Sequence, residues 1–186
     1  MMRYVIGFIG VIAILVLIIV LIVRGLGGGG GGSKQIDLAD YETATSQVIY
    51  TIEGPVSATQ THDEVRISVD QSEATIDIIK GYEDDVTHSK TYPMNPSSYT
   101  SFLLSLKHAG YTNGNSDPAV KDERGYCPTE DRYVYELKDN GEEVQRFWNT
   151  SCDYGLGTFN GKSSLIEDLF RAQVPDYDTL TQGLNL

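Results

Sequence analysis

Apolar and polar positions alternate along much of the chain beyond residue 46. Val48, Tyr50 and Ile52 share one parity, and Gly54-Pro55 closes the run. A period of two marks a strand with one buried face. Val65, Ile67 and Val69 repeat the pattern. A turn at 70–73 follows, then Ile76 and Ile78, a second turn at 81–85 and an extended stretch at 86–92. These segments predict a meander of antiparallel strands. The period then changes. Asn95-Pro96 opens a helix, the first residue suited to capping and the second to the first turn. Tyr99, Phe102, Leu103 and Leu106 fall at i, i+3, i+4 and i+7, one apolar stripe, and Gly110 is placed to stop it. Residues 113–122 are a polar loop. Alternation resumes at Tyr133, Tyr135 and Leu137, Asn140-Gly141 predicts a hairpin turn, and 144–148 returns. Ser164 and Glu167 have the spacing of a capping box, with Leu165, Leu169 and Phe170 as the buried stripe of a second helix that Pro175 ends. The tail, 176–186, is expected to add a short turn or to fray. The order strands, helix, hairpin, helix predicts an α+β fold: an antiparallel sheet of about six strands with two helices packed on one face.

The first apolar run has no alternation at all. Residues 4–23 read YVIGFIGVIAILVLIIVLIV, without a charge, between Arg3 and Arg24. At ~1.5 Å per residue the run spans ~30 Å, the thickness of a bilayer's hydrocarbon core. A cleavable signal has an apolar region of only about 7–15 residues. Residues 1–24 therefore read as a transmembrane anchor, a single-pass signal anchor. Residues 25–34 read as a glycine-rich linker too costly in entropy to hold a helix, and 35–186 as the folded domain. The flanking positive charges barely orient the anchor, with Arg3 on one side against Arg24 and Lys34 on the other.

Composition changes the picture in one respect. All 26 acidic residues lie beyond the anchor. A strongly acidic exterior argues against nucleic acid and against anionic lipid headgroups as partners.

Cys127 and Cys152 settle the orientation. They flank the Asn140-Gly141 turn almost symmetrically, so folding the hairpin brings its feet together. A disulfide there fits an oxidising compartment, which places the domain outside the cell membrane. No metal site is expected, since no histidine neighbours either cysteine and no Cys-x-x-Cys is present. Residues 155–163 imitate a phosphate loop, but Leu156 stands where the first glycine is needed. Asn113, Asn115 and Asp117 match half of a calcium loop, but Pro118 and Arg124 occupy its glycine and glutamate positions. His62, His88 and His108 are scattered, and Asn149-Thr150-Ser151 forms a short glycosylation sequon. No cofactor motif emerges.

Two resemblances bear on these residues. Thr150-Ser151-Cys152 resembles the Thr-Cys that ends the signature strand of sortases, with His88 upstream and Arg171 downstream. That resemblance implies an envelope thiol enzyme using Cys152; the leucine-bearing part of the motif is missing, and a bond to Cys127 would silence the thiol. A second set of residues comprises Gly125-Tyr126-Cys127-Pro128, then 132–137, 148–152 and 169–177. It resembles a loosely defined set of bacterial membrane-anchored extracytoplasmic proteins with a cysteine-flanked hairpin and no assigned activity. That resemblance implies architecture and location. The resulting expectation is a tethered binding or interaction module without catalytic activity. It would meet the membrane through its leading helix and an envelope protein or polymer through Tyr126, Tyr133, Tyr135 and Trp148. A purely structural envelope role is the remaining alternative.

Overall fold

A computed structural model describes residues 36–152 and 156–186. The predicted anchor and linker lie outside the described residues, and no helix among those described is long and apolar enough to cross a membrane.

Six strands form one antiparallel sheet: β1 (Ser46–Glu53), β2 (Asp63–Val69), β3 (Glu73–Lys80), β4 (Asp85–Pro93), β5 (Arg132–Asp139) and β6 (Glu142–Thr150). Their spatial order is β4-β3-β2-β1-β5-β6. The first four strands are the predicted meander, and the hairpin β5–β6 adds to its β1 edge. Among the described residues a 3-10 turn (Leu38–Tyr41) precedes the sheet, α1 (Pro96–Ala109) falls between β4 and β5, and α2 (Ser163–Arg171) and a short α3 (Tyr177–Leu180) follow it. The α+β class is therefore that of the structure.

Because side chains alternate across a strand, register assigns each residue to a face. Val48 pairs with Val69 and Leu137, Tyr50 with Ile67 and Tyr135, and Ile52 with Val65 and Tyr133. That face meets the helices. α1 presents Tyr99, Phe102, Leu103, Leu106 and Ala109, all buried, and α2 presents Ile166 and Phe170. Phe170 is the hub: its ring lies 5.2 Å from Phe102, 5.5 Å from Tyr50 and 5.9 Å from Tyr111.

The predicted helix signals work at α1. Asn95 Oδ1 accepts the Ser98 N–H at 3.0 Å, and Gly110 takes the left-handed conformation at φ 81°. At α2 the prediction needs correction. The helix starts two residues earlier than a Ser164 cap requires, Lys162 is the cap residue, and no side chain caps it. The buried stripe is Ile166 and Phe170, with Leu169 partly buried, whereas Leu165 is 41% exposed. The tail adds the expected short turn at Tyr177–Leu180 and does not fray. Tyr177 is buried, Leu184 and Leu186 pack on the core, and the Asn185 N–H donates to Asp63 Oδ2 at 3.0 Å.

The other face of the sheet is covered over β5 and β6 by the loop 110–131. Trp148 Nε1 donates to the Val120 carbonyl at 2.9 Å, and Tyr126 lies 5.7 Å from the Trp148 ring. Arg146 pairs with Glu123 at 2.6 Å, both partly buried. The outer edge of β6 is paired too: the Thr158 N–H donates to the Trp148 carbonyl at 2.9 Å, and Asn149 bridges Gly157. At the opposite edge β4 is exposed almost throughout.

Candidate functional site

Cys127 and Cys152 are joined, with Cα atoms 6.1 Å apart, and no free cysteine remains. The bond ties the covering loop to the foot of β6. It also engages the sulfur that the sortase resemblance would use. His88 sits on the exposed strand β4, and Arg171 is held in α2 by Glu167 and Asp178.

The four aromatic residues expected to form a contact patch are not brought together. Tyr135 and Trp148 are 0% and 1% exposed. Register explains why they cannot share a surface: Val134 pairs with Trp148 and Tyr135 with Phe147, so the two rings point to opposite faces. Tyr126 belongs to the loop over Trp148, and Tyr133 to the helix-covered face. The patch reading fails because alternating tyrosines at a sheet centre are packed. The half calcium loop is also spent locally: Asn115 Oδ1 accepts the Asp117 N–H and Asp117 Oδ1 the Ala119 N–H. Among the described residues no group of three or more His, Cys, Asp or Glu side chains is placed to hold a metal ion.

Two recesses open at the end of the sheet marked by the disulfide, one on each face. The first, about 210 Å³, is lined by Glu53, His62, Glu64, Tyr82, Asp84, Glu130 and Arg132. Glu53, Glu64, Asp84 and Arg132 are each held in an ion pair. Arg132 meets Glu53 at 2.8 Å, and Arg66 holds Glu64 and Asp84 at 2.7 Å each. His62 stacks on Tyr82 at 4.2 Å, with Nδ1 3.1 Å from the Pro55 carbonyl. Burial, reinforced by Glu53 and Asp84, pushes the Glu64 carboxyl up to about 7 despite the opposing pull of Arg66. Polar groups already satisfied in this way give a ligand little to replace.

The second recess, about 170 Å³, lies on the helix side. It is walled by Tyr50 and Tyr133 on the sheet, by Asn149 and Thr150 at the end of β6, and by Ser163, Ser164 and Glu167 of α2. The Tyr50 and Tyr133 rings are stacked, 14° from parallel and 6.3 Å apart. Asn149 is fixed from both sides: Tyr135 Oη donates to its Oδ1 at 3.0 Å, and its Nδ2 donates to Ser163 Oγ at 2.6 Å. That same inward bonding engages the amide of the glycosylation sequon.

Tyr50 sets this recess apart. The residue is 1% exposed, yet its hydroxyl makes no hydrogen bond among the described residues. Burial, with the nearby Tyr135, Glu167 and Tyr133, holds the phenol far above its ordinary pKa, so it stays a proton donor. The exposed Ser164 stands at the mouth, over the first turn of a helix whose N–H groups have no side-chain cap. Sequence reasoning named Tyr133 but not its partners, because residues from 50 to 167 meet here only through the sheet order.

No protein-family model matches the chain, and no curated protein matches it.

Proposed function

We propose that this protein is a membrane-tethered binding module, without catalysis, whose domain faces the outside of the cell and takes its ligand in the Tyr50–Ser164 recess. The carrying observation is a small recess lined by Tyr50, whose hydroxyl makes no hydrogen bond among the described residues, and by Asn149, which is held from both sides. A pre-formed recess with a few placed polar groups is the usual form of a small-ligand site. The charge-free run at residues 4–23 supports the tether, and the cystine supports the oxidising side. The disulfide also favours binding over thiol chemistry, since neither sulfur is free as a nucleophile.

Two measurements test this reading. Protease added to intact cells is expected to remove the domain while leaving the leading segment; full protection would place the domain on the inner side and overturn the location. Full-length protein in nanodiscs is then titrated with fractionated envelope extract and followed by amide hydrogen exchange. Protection is expected at 149–151 and 163–167. The Ser164→Trp variant, which fills the mouth, is expected to lose it. Equal protection in both proteins would refute the recess as the site.

A further inference from the structure

We infer that Asn140 is a site of spontaneous covalent modification, the deamidation of an Asn-Gly pair to aspartate and isoaspartate, and that the fold directs the reaction there and away from two identical pairs. The chain carries Asn-Gly at Asn113-Gly114, Asn140-Gly141 and Asn160-Gly161. All three asparagines are exposed. The dipeptide alone does not separate them; packing does.

The reaction needs only water. The glycine backbone nitrogen gives up its proton and attacks the asparagine Cγ. A C–N bond forms, the bond from Cγ to Nδ2 breaks, and ammonia leaves with that proton. The five-membered imide then takes up water at either carbonyl. Opening at Cγ leaves aspartate. Opening at the backbone carbonyl leaves isoaspartate, whose main chain runs through the side chain. No electron is gained or lost. For the nitrogen to reach Cγ, the peptide between the two residues has to turn, and the glycine moves with it. A residue without Cβ permits that motion only where its surroundings leave room.

Room is missing at two of the pairs. Gly114 is packed against the Phe147 ring, which would stand 2.5 Å from a Cβ added there, and the Asn113 carbonyl accepts the Asn160 N–H at 3.0 Å. At Gly161 the Gly110 carbonyl oxygen and the Phe159 ring would each stand 2.4 Å from such an atom, and the next N–H, of Lys162, is bound to the Ala109 carbonyl at 2.9 Å. Gly114 and Phe159 also bridge these two loops to each other. At Gly141 nothing lies within 4 Å of that position. Neither the Asn140 carbonyl nor the Gly141 N–H makes a hydrogen bond among the described residues. The peptide that has to turn is therefore free at both ends. The Asn140 side chain has one hydrogen-bond partner, Asp139 Oδ2 at 3.1 Å, in an exposed contact.

The product changes the end of the hairpin. Asp139 Oδ1 accepts the hydroxyls of Thr45 and Ser46 at 2.9 and 2.8 Å, which ties the turn to the start of β1. Deamidation replaces a donor to Asp139 by a second carboxylate, so like charges face each other. Isoaspartate also adds a carbon to the main chain of a two-residue turn whose backbone matches the strands it joins. Both products loosen the hairpin from β1.

The test holds full-length protein in nanodiscs at pH 7 and at pH 9 and maps its peptides by mass spectrometry over time. Deamidation at Asn140 is expected to run about ten-fold faster than at Asn113 or Asn160, the factor that ~1.4 kcal/mol of local opening imposes. It should yield isoaspartate as well as aspartate and quicken at pH 9, because the attacking nitrogen loses a proton. In concentrated urea the three sites are expected to react at similar rates. Equal rates in the folded protein, a faster Asn113 or Asn160, aspartate without isoaspartate, or a ranking that survives in urea overturns the inference. Asn140→Asp, which installs the aspartate product, is expected to quicken amide exchange at 45–47 and 138–142; unchanged exchange overturns the effect on the hairpin.

Discussion

Tyr111 and Tyr50 occupy the same core layer and end in opposite situations. Both rings pack on Phe170, at 5.9 and 5.5 Å, and both flank Tyr135. The Tyr111 hydroxyl sits between β1 and β5. It is 2.7 Å from the carbonyls of Ile49 and Glu136 and accepts the Ile49 N–H at 3.2 Å. The Tyr50 hydroxyl, near the other end of the same strands, faces a cavity. Nothing in the residue type separates them. What differs is what stands opposite the phenol: backbone in one case, a small void in the other. A sealed tyrosine contributes to stability; an unsealed one keeps its hydrogen bond available for something else.

The largest perturbation removes the support both share. Phe170→Ala is expected to cost about 3–5 kcal/mol in urea unfolding, because a fully buried ring is lost from the junction of α1, α2 and the sheet. A cost under 1 kcal/mol would show that the two tyrosine regions do not depend on one hub. Cutting the disulfide, with Cys127→Ser and Cys152→Ser together, comes next. The bond links positions 25 apart, and in the chain-entropy view its loss costs about 3.5 kcal/mol. Amide exchange should then quicken in the loop 110–131 and around the carboxylate recess. The Tyr50–Tyr133 wall, built on β1 and β5, should hold. Equal loosening of both recesses would mean that the cystine supports the ligand side as well. Tyr111→Phe is third, at about 1–3 kcal/mol, since it removes the acceptor of the Ile49 N–H and the one donor shared by the Ile49 and Glu136 carbonyls.

These three effects also mark where sequence reasoning could reach. Strand identity was readable because Val48, Tyr50 and Ile52 carry a local period of two, and the hairpin because Asn140 and Gly141 tolerate positive φ, observed at 51° and 79°. The cysteine pair was readable from symmetry about that turn. The start of the second helix lies two residues before the one that a Ser164 cap would give. Ser163, not Ser164, faces the strand and bonds Asn149, and this tertiary contact sets the helix rotation so that Ile166 is buried and Leu165 is not. The aromatic patch misled because period two reports two faces without saying that a loop covers the second. The recess itself has no local signal. It joins β1 to α2 across more than a hundred positions, and only the insertion of β5 beside β1 brings them together.

A pH experiment sharpens the contrast between the two recesses. The Glu64 carboxyl is raised from 4.5 to about 7, chiefly by burial. A group that binds its proton more tightly when folded adds stability below its unfolded pKa and loses it as pH rises. For Glu64 the loss runs from about pH 4.5 through about 7. Asp63, held low by Lys80 and the Asn185 N–H against its own burial, acts in the other direction and weakens the fold on acidification. Glu64→Gln should therefore flatten the decline between pH 5 and 8 and stabilise the protein at pH 8 by about 1 kcal/mol. That gain is less than the full shift, because Arg66 loses a charged partner. Urea unfolding at both pH values checks it; a larger slope in the variant would refute the assignment.

The smallest expected change decides the comparison most directly. Tyr50→Phe removes an oxygen that makes no hydrogen bond among the described residues, while keeping the ring against Tyr135 and Phe170. Where no bond is lost and a buried polar atom disappears, stability should stay within about 0.5 kcal/mol of wild type or rise slightly. Tyr111→Phe, the same chemical change in the same layer, should cost several times more. Measuring both in one urea series removes differences in baseline and slope. If the two variants lose equal stability, the Tyr50 hydroxyl has a structural partner after all and the recess loses the feature that marks it. If Tyr50→Phe is neutral, the phenol is kept there at no benefit to the fold, which leaves a ligand as the reason for its oxygen.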